Sequence, residues 1–176
     1  MKMKLSVYFL GLLMIGLTFS CEKSDIDFED DIEKSEKAWK AFRSSSGNSY
    51  KYVVSFSSWT GTSSETTITV SNGKVIKREF RYTVTKYLPD NFPKEELEWV
   101  ENENELNARS NSGAAALTLD EIYTKAKSEW LVKRDNAKTY FEAKNDGLIS
   151  SCGYVEDGCA DDCFNGIRIS YIGVVK

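Results

Sequence analysis

Thr66-Thr67-Ile68-Thr69-Val70-Ser71-Asn72-Gly73-Lys74-Val75-Ile76-Lys77-Arg78-Glu79-Phe80-Arg81-Tyr82 places two runs rich in β-branched and aromatic residues on either side of an Asn-Gly pair. This is the pattern of an antiparallel hairpin, with strands at Thr66 to Val70 and Lys74 to Thr85. Side chains alternate across a strand, so a slip of one residue would move every apolar group to the other face. A two-residue turn at Asn72-Gly73 would set Ile68 opposite Lys77 and Thr69 opposite Ile76, mixing the faces. A three-residue loop, with Gly73 in the left-handed region and a bulge after it, sets Ile68 opposite Ile76 and Ser64 opposite Phe80. That register gathers Ile68, Ile76, Phe80, Tyr82 and Val84 on one face and is the expected one.

Upstream, Tyr50, Tyr52, Val54 and Phe56 alternate with Lys51, Val53, Ser55 and Ser57, the period of a half-buried strand. Trp59-Thr60-Gly61-Thr62 makes the following loop. Before the strand, Ile32, Ser35, Ala38, Trp39 and Phe42 recur at helical spacing, with acidic residues at the helix start where the dipole favours them. A helix is predicted from Asp30 to Arg43, ended by Ser44-Ser45-Ser46-Gly47.

Downstream, residues 88–117 form an irregular insertion with Pro89, Pro93 and a charge-rich run from Lys94 to Glu105. Trp99 and Val100 could add a short strand there, and Glu101, Glu103 and Glu105 read as a solvated face. Thr118-Leu119-Asp120-Glu121 is a capping box. Leu119, Ile122, Tyr123, Ala126 and Trp130 mark one face of the helix that it opens. A strand is predicted at Ala137 to Lys144, a turn at Asn145-Asp146-Gly147, a return strand at Leu148 to Val155, and a last strand at Ile167 to Val175. The order is helix, three strands, insertion, helix, three strands. It predicts an α+β fold of two layers, two helices packed on antiparallel sheet, each half laying a helix across three strands.

Leu17-Thr18-Phe19-Ser20-Cys21 decides where this domain lives. Lys2 and Lys4 precede an apolar run from Leu5 to Phe19, the make-up of a secretory signal and too short for a spanning helix. The small Ser20 before Cys21 resembles the processing site of bacterial lipoproteins, which implies cleavage of residues 1–20 and acylation of Cys21. Residues 21–29, with Glu22, Asp25, Asp27 and Glu29, then read as an acidic tether. Acidic residues in this place resemble the export signals of Bacteroidota surface lipoproteins, and the implied location is the cell envelope, anchored by lipid to the outer membrane and facing the periplasm or the surface. The remainder, residues 30–176, is one domain.

The chain carries a net charge of −4 and no histidine. Acidity argues against nucleic acid or an anionic headgroup surface as the main partner. The missing imidazole removes the hydrolase triads and the common zinc sites. Once Cys21 is acylated, Cys152, Cys159 and Cys163 form an odd set. Joining Cys152 to Cys163 would staple the base of the loop between the last two strands and leave Cys159 at its tip. The other two pairings and a three-thiolate metal site are the alternatives. Asp157, Asp161 and Asp162, with Glu156 and the Asn165 amide, are the candidate oxygen ligands for Ca²⁺, although their spacing does not match a helix-loop-helix calcium site.

The Tyr50 to Phe56 strand, the Val70 to Val75 turn, the opening Thr118-Leu119-Asp120-Glu121-Ile122-Tyr123, the Gly147 turn and the Asp161-Asp162 pair before the final strand are similar to a family of bacterial secreted proteins and lipoproteins of unknown function. Leu148 departs from the family, whose members often carry proline after the turn glycine. The resemblance implies an exported single domain and no particular activity. Three classes of function follow. The first is a lipid-anchored, non-catalytic binding module for an envelope protein or ligand, with an exposed Trp59 or Trp99 as its contact. The others are a cation-binding or thiol redox module centred on Cys152 to Asn165, and an enzyme working through paired carboxylates.

Overall fold

The computed structural model describes residues 25–109 and 112–175. The predicted signal peptide and Cys21 lie outside the described residues. The chain runs through α1 (Glu29–Ser45), β1 (Tyr50–Ser57), β2 (Ser63–Ser71), β3 (Lys74–Val84), a single 3₁₀ turn (Lys94–Glu96), β4 (Glu98–Asn102), α2 (Leu119–Lys125) with a π-helical continuation (Ala126–Trp130), β5 (Ala137–Glu142), β6 (Ser151–Glu156) and β7 (Asn165–Val174).

The expected pair of three-stranded halves, each under its own helix, is not what forms. All strands join one seven-stranded antiparallel sheet in the order β4-β3-β2-β1-β7-β6-β5, accompanied by two short helices. The halves fuse because β7 returns to β1, pairing Tyr50 with Val174 and Tyr52 with Ile172. The insertion is not wholly irregular either, since its Glu98–Asn102 segment pairs with β3 as the edge strand.

The hairpin register also differs from the expected one. Asn72 and Gly73 make a two-residue turn with φ of 50° and 78°, so Gly73 does adopt the left-handed region. Val70 then faces Val75, and the ladder slips by one residue before Thr69 meets Lys77 and Ile68 meets Arg78. Ser64 accordingly faces Tyr82, not Phe80. The slip falls at Ile76, which is turned out and exposed, while Arg78, Phe80 and Tyr82 share the inner face with Ile68. A tight turn followed by a bulge restores the apolar alternation that a tight turn alone would lose.

Both helices lie over one end of that face. Ile32 and Trp39 of α1 and Leu119, Ile122 and Tyr123 of α2 pack on Tyr50, Tyr52, Ile68 and Val70. The capping box is present, with Glu121 N donating to Thr118 Oγ1 at 3.2 Å and Thr118 N to Glu121 Oε2 at 2.7 Å. Polar bonds then fix the helix positions: Trp39 Nε1 and Arg43 Nη1 both donate to Asp120 Oδ1 at 2.8 Å, and Leu119 N donates to Tyr50 Oη at 2.8 Å. Among the described residues no helix is long and apolar enough to cross a membrane.

Candidate functional site

Along β2 the inner-facing residues change from hydroxyl to aliphatic: Ser64, Thr66, Ile68, Val70. The aliphatic half lies under the helices. The hydroxyl half, with Phe56 of β1 and Phe80 and Tyr82 of β3, extends beyond the helices and forms the floor of a groove of about 560 Å³. Backbone segments make its two walls, Ser112-Gly113-Ala114 on one side and Asp161 to Phe164 on the other.

The first wall is held by a buried arginine. Arg78 Nε donates to Ala114 O at 2.7 Å and its Nη2 to Ser112 O at 2.6 Å, while Ala114 N donates to Thr66 Oγ1 at 2.9 Å. Arg78 in turn pairs with Glu101 at 2.8 Å and lies over the Trp99 ring at 4.6 Å. Glu101 also accepts from Arg109 N at 2.7 Å and Asn107 N at 2.8 Å. Burial pushes its carboxyl up, but the bonds from Arg109 N, Arg78 and Asn107 N outweigh this and hold it below the usual carboxylate range. The solvated face expected at Glu101 is therefore incorrect, because at β4 its side chain points into the sheet and not out of it. Gly113, at φ of 75°, sits so close to the floor that an added Cβ would lie 3.0 Å from Thr66 Oγ1 and 3.1 Å from Phe80.

The second wall is a disulfide loop, and its pairing corrects the Cys152 to Cys163 expectation. Cys159 and Cys163 are joined, with their Cα atoms 6.1 Å apart. Cys152 is free and fully buried, opposite Ile167 and Phe141 on the inner face. Strand alternation points its thiol into the core, and Cys163 lies beyond the end of β7, so the two cannot meet. Burial pushes the Cys152 thiol up to about 12.

The acidic candidates do not converge. Asp162 accepts from Ser58 Oγ at 2.7 Å and from Trp59 N at 2.9 Å, tying the loop after β1 to the disulfide loop. Asp157 is exposed in the turn after β6, where its backbone N donates to Asn136 O at 2.8 Å. Among the described residues no three acidic or thiol side chains come together as a metal-binding set. Trp59 is 71% exposed in the Asp162-tied loop, whereas Trp99 is buried and stacked on Phe80, its partner across β3 and β4, at 5.1 Å. Trp99 is thus unavailable as the exposed contact it was expected to offer.

Comparison with protein-family models, curated proteins and solved structures gives no match. The groove has to be read from its own chemistry. Sequence reasoning passed over Phe56, Tyr82, Gly113 and Arg78. A signal was present in the Ser64-Thr66 half of β2, since hydroxyls at inward positions of a strand call for polar partners, which the Ser112 to Ala114 wall supplies to Thr66.

Proposed function

We propose that the protein is a lipid-anchored cell-envelope protein that acts as a non-catalytic binding module through this groove. The observation that carries the reading is the groove's make-up: three aromatic rings and two inward hydroxyls on a rigid sheet, between walls that are each fastened by specific hydrogen bonds. Its volume falls in the range of roughly 300 to 1,000 Å³ usual for ligand pockets. The half-exposed Phe56 and Tyr82 offer ring faces to a flat apolar group, and Ser64 adds a hydroxyl at the floor. Support for the anchor comes from the Leu17 to Cys21 processing site.

Incorporating a photo-reactive phenylalanine analogue in place of Phe56 in living cells tests the reading. Irradiation is expected to attach a discrete ligand or envelope protein at Phe56, and not when the same analogue replaces Tyr171 on the outer face. Capture from Tyr171 with none from Phe56 would overturn the groove as the binding site.

A further inference from the structure

The fold begins very close to the anchoring cysteine. Lys133 N donates to Asp25 O at 3.0 Å, Asp27 N donates to Leu131 O at 2.7 Å, and Ile26 and Val132 form an antiparallel bridge. The acidic stretch expected to be a tether as far as Glu29 is therefore already fixed to the domain at Asp25. Cys21 stands four residues before Asp25. Four residues reach at most about 14 Å when fully extended.

The surface beside this entry point is the free edge of the sheet. Val132 and Lys133 stand shortly before β5, the edge strand opposite β4, which among the described residues pairs with β6 only. Phe28 turns onto the same strand, its ring 6.2 Å from that of Phe141, and remains 41% exposed. Phe28, Tyr140 and Phe164 line a shallow cavity of about 770 Å³ with Lys138 and Arg168 beside them. Lys138 Nζ lies 5.3 Å from the centre of the Tyr140 ring, and Tyr140 is 37% exposed. The opposite edge, β4, is six strand steps away, about 29 Å along the sheet at ~4.8 Å per step.

We infer that the β5 edge, with Phe28 and Tyr140 at its surface, is the membrane-facing side of the anchored protein and lies against the phospholipid headgroups, with β4 turned away. This rests on the lipid anchor at Cys21. Acyl chains hold that residue at the bilayer surface, and the headgroup layer on each side is only about 5 to 8 Å deep. With a reach of at most about 14 Å, the three intervening residues keep Asp25, and the edge beside it, close to that layer. The chemistry of the edge suits the location: Tyr140, an aromatic ring with a polar tip, fits the headgroup level, and the Lys138 stem lies along apolar surface while its ammonium reaches the phosphates.

The test uses the full lipidated chain, purified from membranes and reconstituted in phosphatidylcholine vesicles that carry a nitroxide on the headgroup. A bimane label is attached to Lys138→Cys or, separately, to Val100→Cys, both on exposed positions. The nitroxide is expected to quench the label at residue 138 several-fold more than the label at 100. A Gly/Ser insert of ~20 residues between Ser24 and Asp25, with a root-mean-square reach of about 25 Å, should remove the difference. Equal quenching at both positions in the uninserted chain, with the acyl chains confirmed by mass, would overturn the orientation while leaving the anchor intact. An unacylated Cys21 by mass would overturn both.

Discussion

Arg78 and Glu101 face each other across β3 and β4, Nη1 to Oε2 at 2.8 Å, with side chains 2% and 3% exposed. The pair is more than a local contact, because Arg78 also fastens the backbone of Ser112 and Ala114 in the groove wall and Glu101 that of Asn107 and Arg109. Removing one partner leaves the other charge buried and uncompensated. Arg78→Met should therefore destabilise the domain by about 3 to 5 kcal/mol, whereas Arg78→Met with Glu101→Leu should cost clearly less. Urea unfolding of the two variants checks this, and an equal loss in both would contradict it.

The same pair sets a pH dependence. The folded Glu101 carboxyl lies below its ordinary value, so its contribution is fully present above the unfolded pKa of about 4.3 and is lost as pH falls through the lower folded value. Stability of the native protein should fall as pH drops below about 4.3, and Glu101→Gln should show a shallower fall there. Denaturation midpoints across the range measure it.

Cys152 should be chemically silent in the folded protein. With its thiol pushed up to about 12 by burial, almost no thiolate exists at neutral or mildly alkaline pH. Iodoacetamide is expected to modify no cysteine after Cys21 in the native state. It should modify Cys152 alone in urea, and Cys159 and Cys163 as well once a reductant is added. Native modification of Cys163 would contradict the Cys159 to Cys163 pairing.

Asp162→Ala should loosen two loops together. The change removes the acceptor for Ser58 Oγ and Trp59 N, both exposed hydrogen bonds, so the effect on global stability should be small. Amide exchange at Trp59 should accelerate, with protection in α1 and β2 unchanged. Unaltered exchange at Trp59 would show that the tie does not form in solution.

Gly113→Ala should both strain and narrow the groove. An alanine at φ of 75° is disfavoured, and its Cβ would press on Thr66 and Phe80. A loss of about 1 kcal/mol or more is expected. It should appear as a lower melting temperature together with weaker photo-capture at Phe56.

Much of the domain's local structure was legible. The capping box at Thr118 and Glu121, the buried face Leu119-Ile122-Tyr123 and the glycine turns at Gly73 and Gly147 all follow from residues a few positions apart. The hairpin illustrates where legibility stopped. Gly73 announced its left-handed turn, but a bulge at Ile76 depends on what packs beneath the strand, and Arg78 was drawn inward because Glu101, Arg109 and Ala114 were there to receive it. Nothing in the spacing of charges distinguishes Glu101 from the solvated Glu103.

The sequence by itself determined most of the elements and their order, and the Leu17 to Cys21 stretch carries the expectation of an anchored chain. Periodicity and turn chemistry act between near neighbours, so they are written locally. The tertiary structure alone decided that β7 would close onto β1, that Cys163 would take Cys159 and leave Cys152 in the core, and that Phe56, Phe80 and the Gly113 segment would enclose one groove. Those outcomes depend on which distant strands share an edge and which face of each is buried, and such choices depend on the packing of the whole chain.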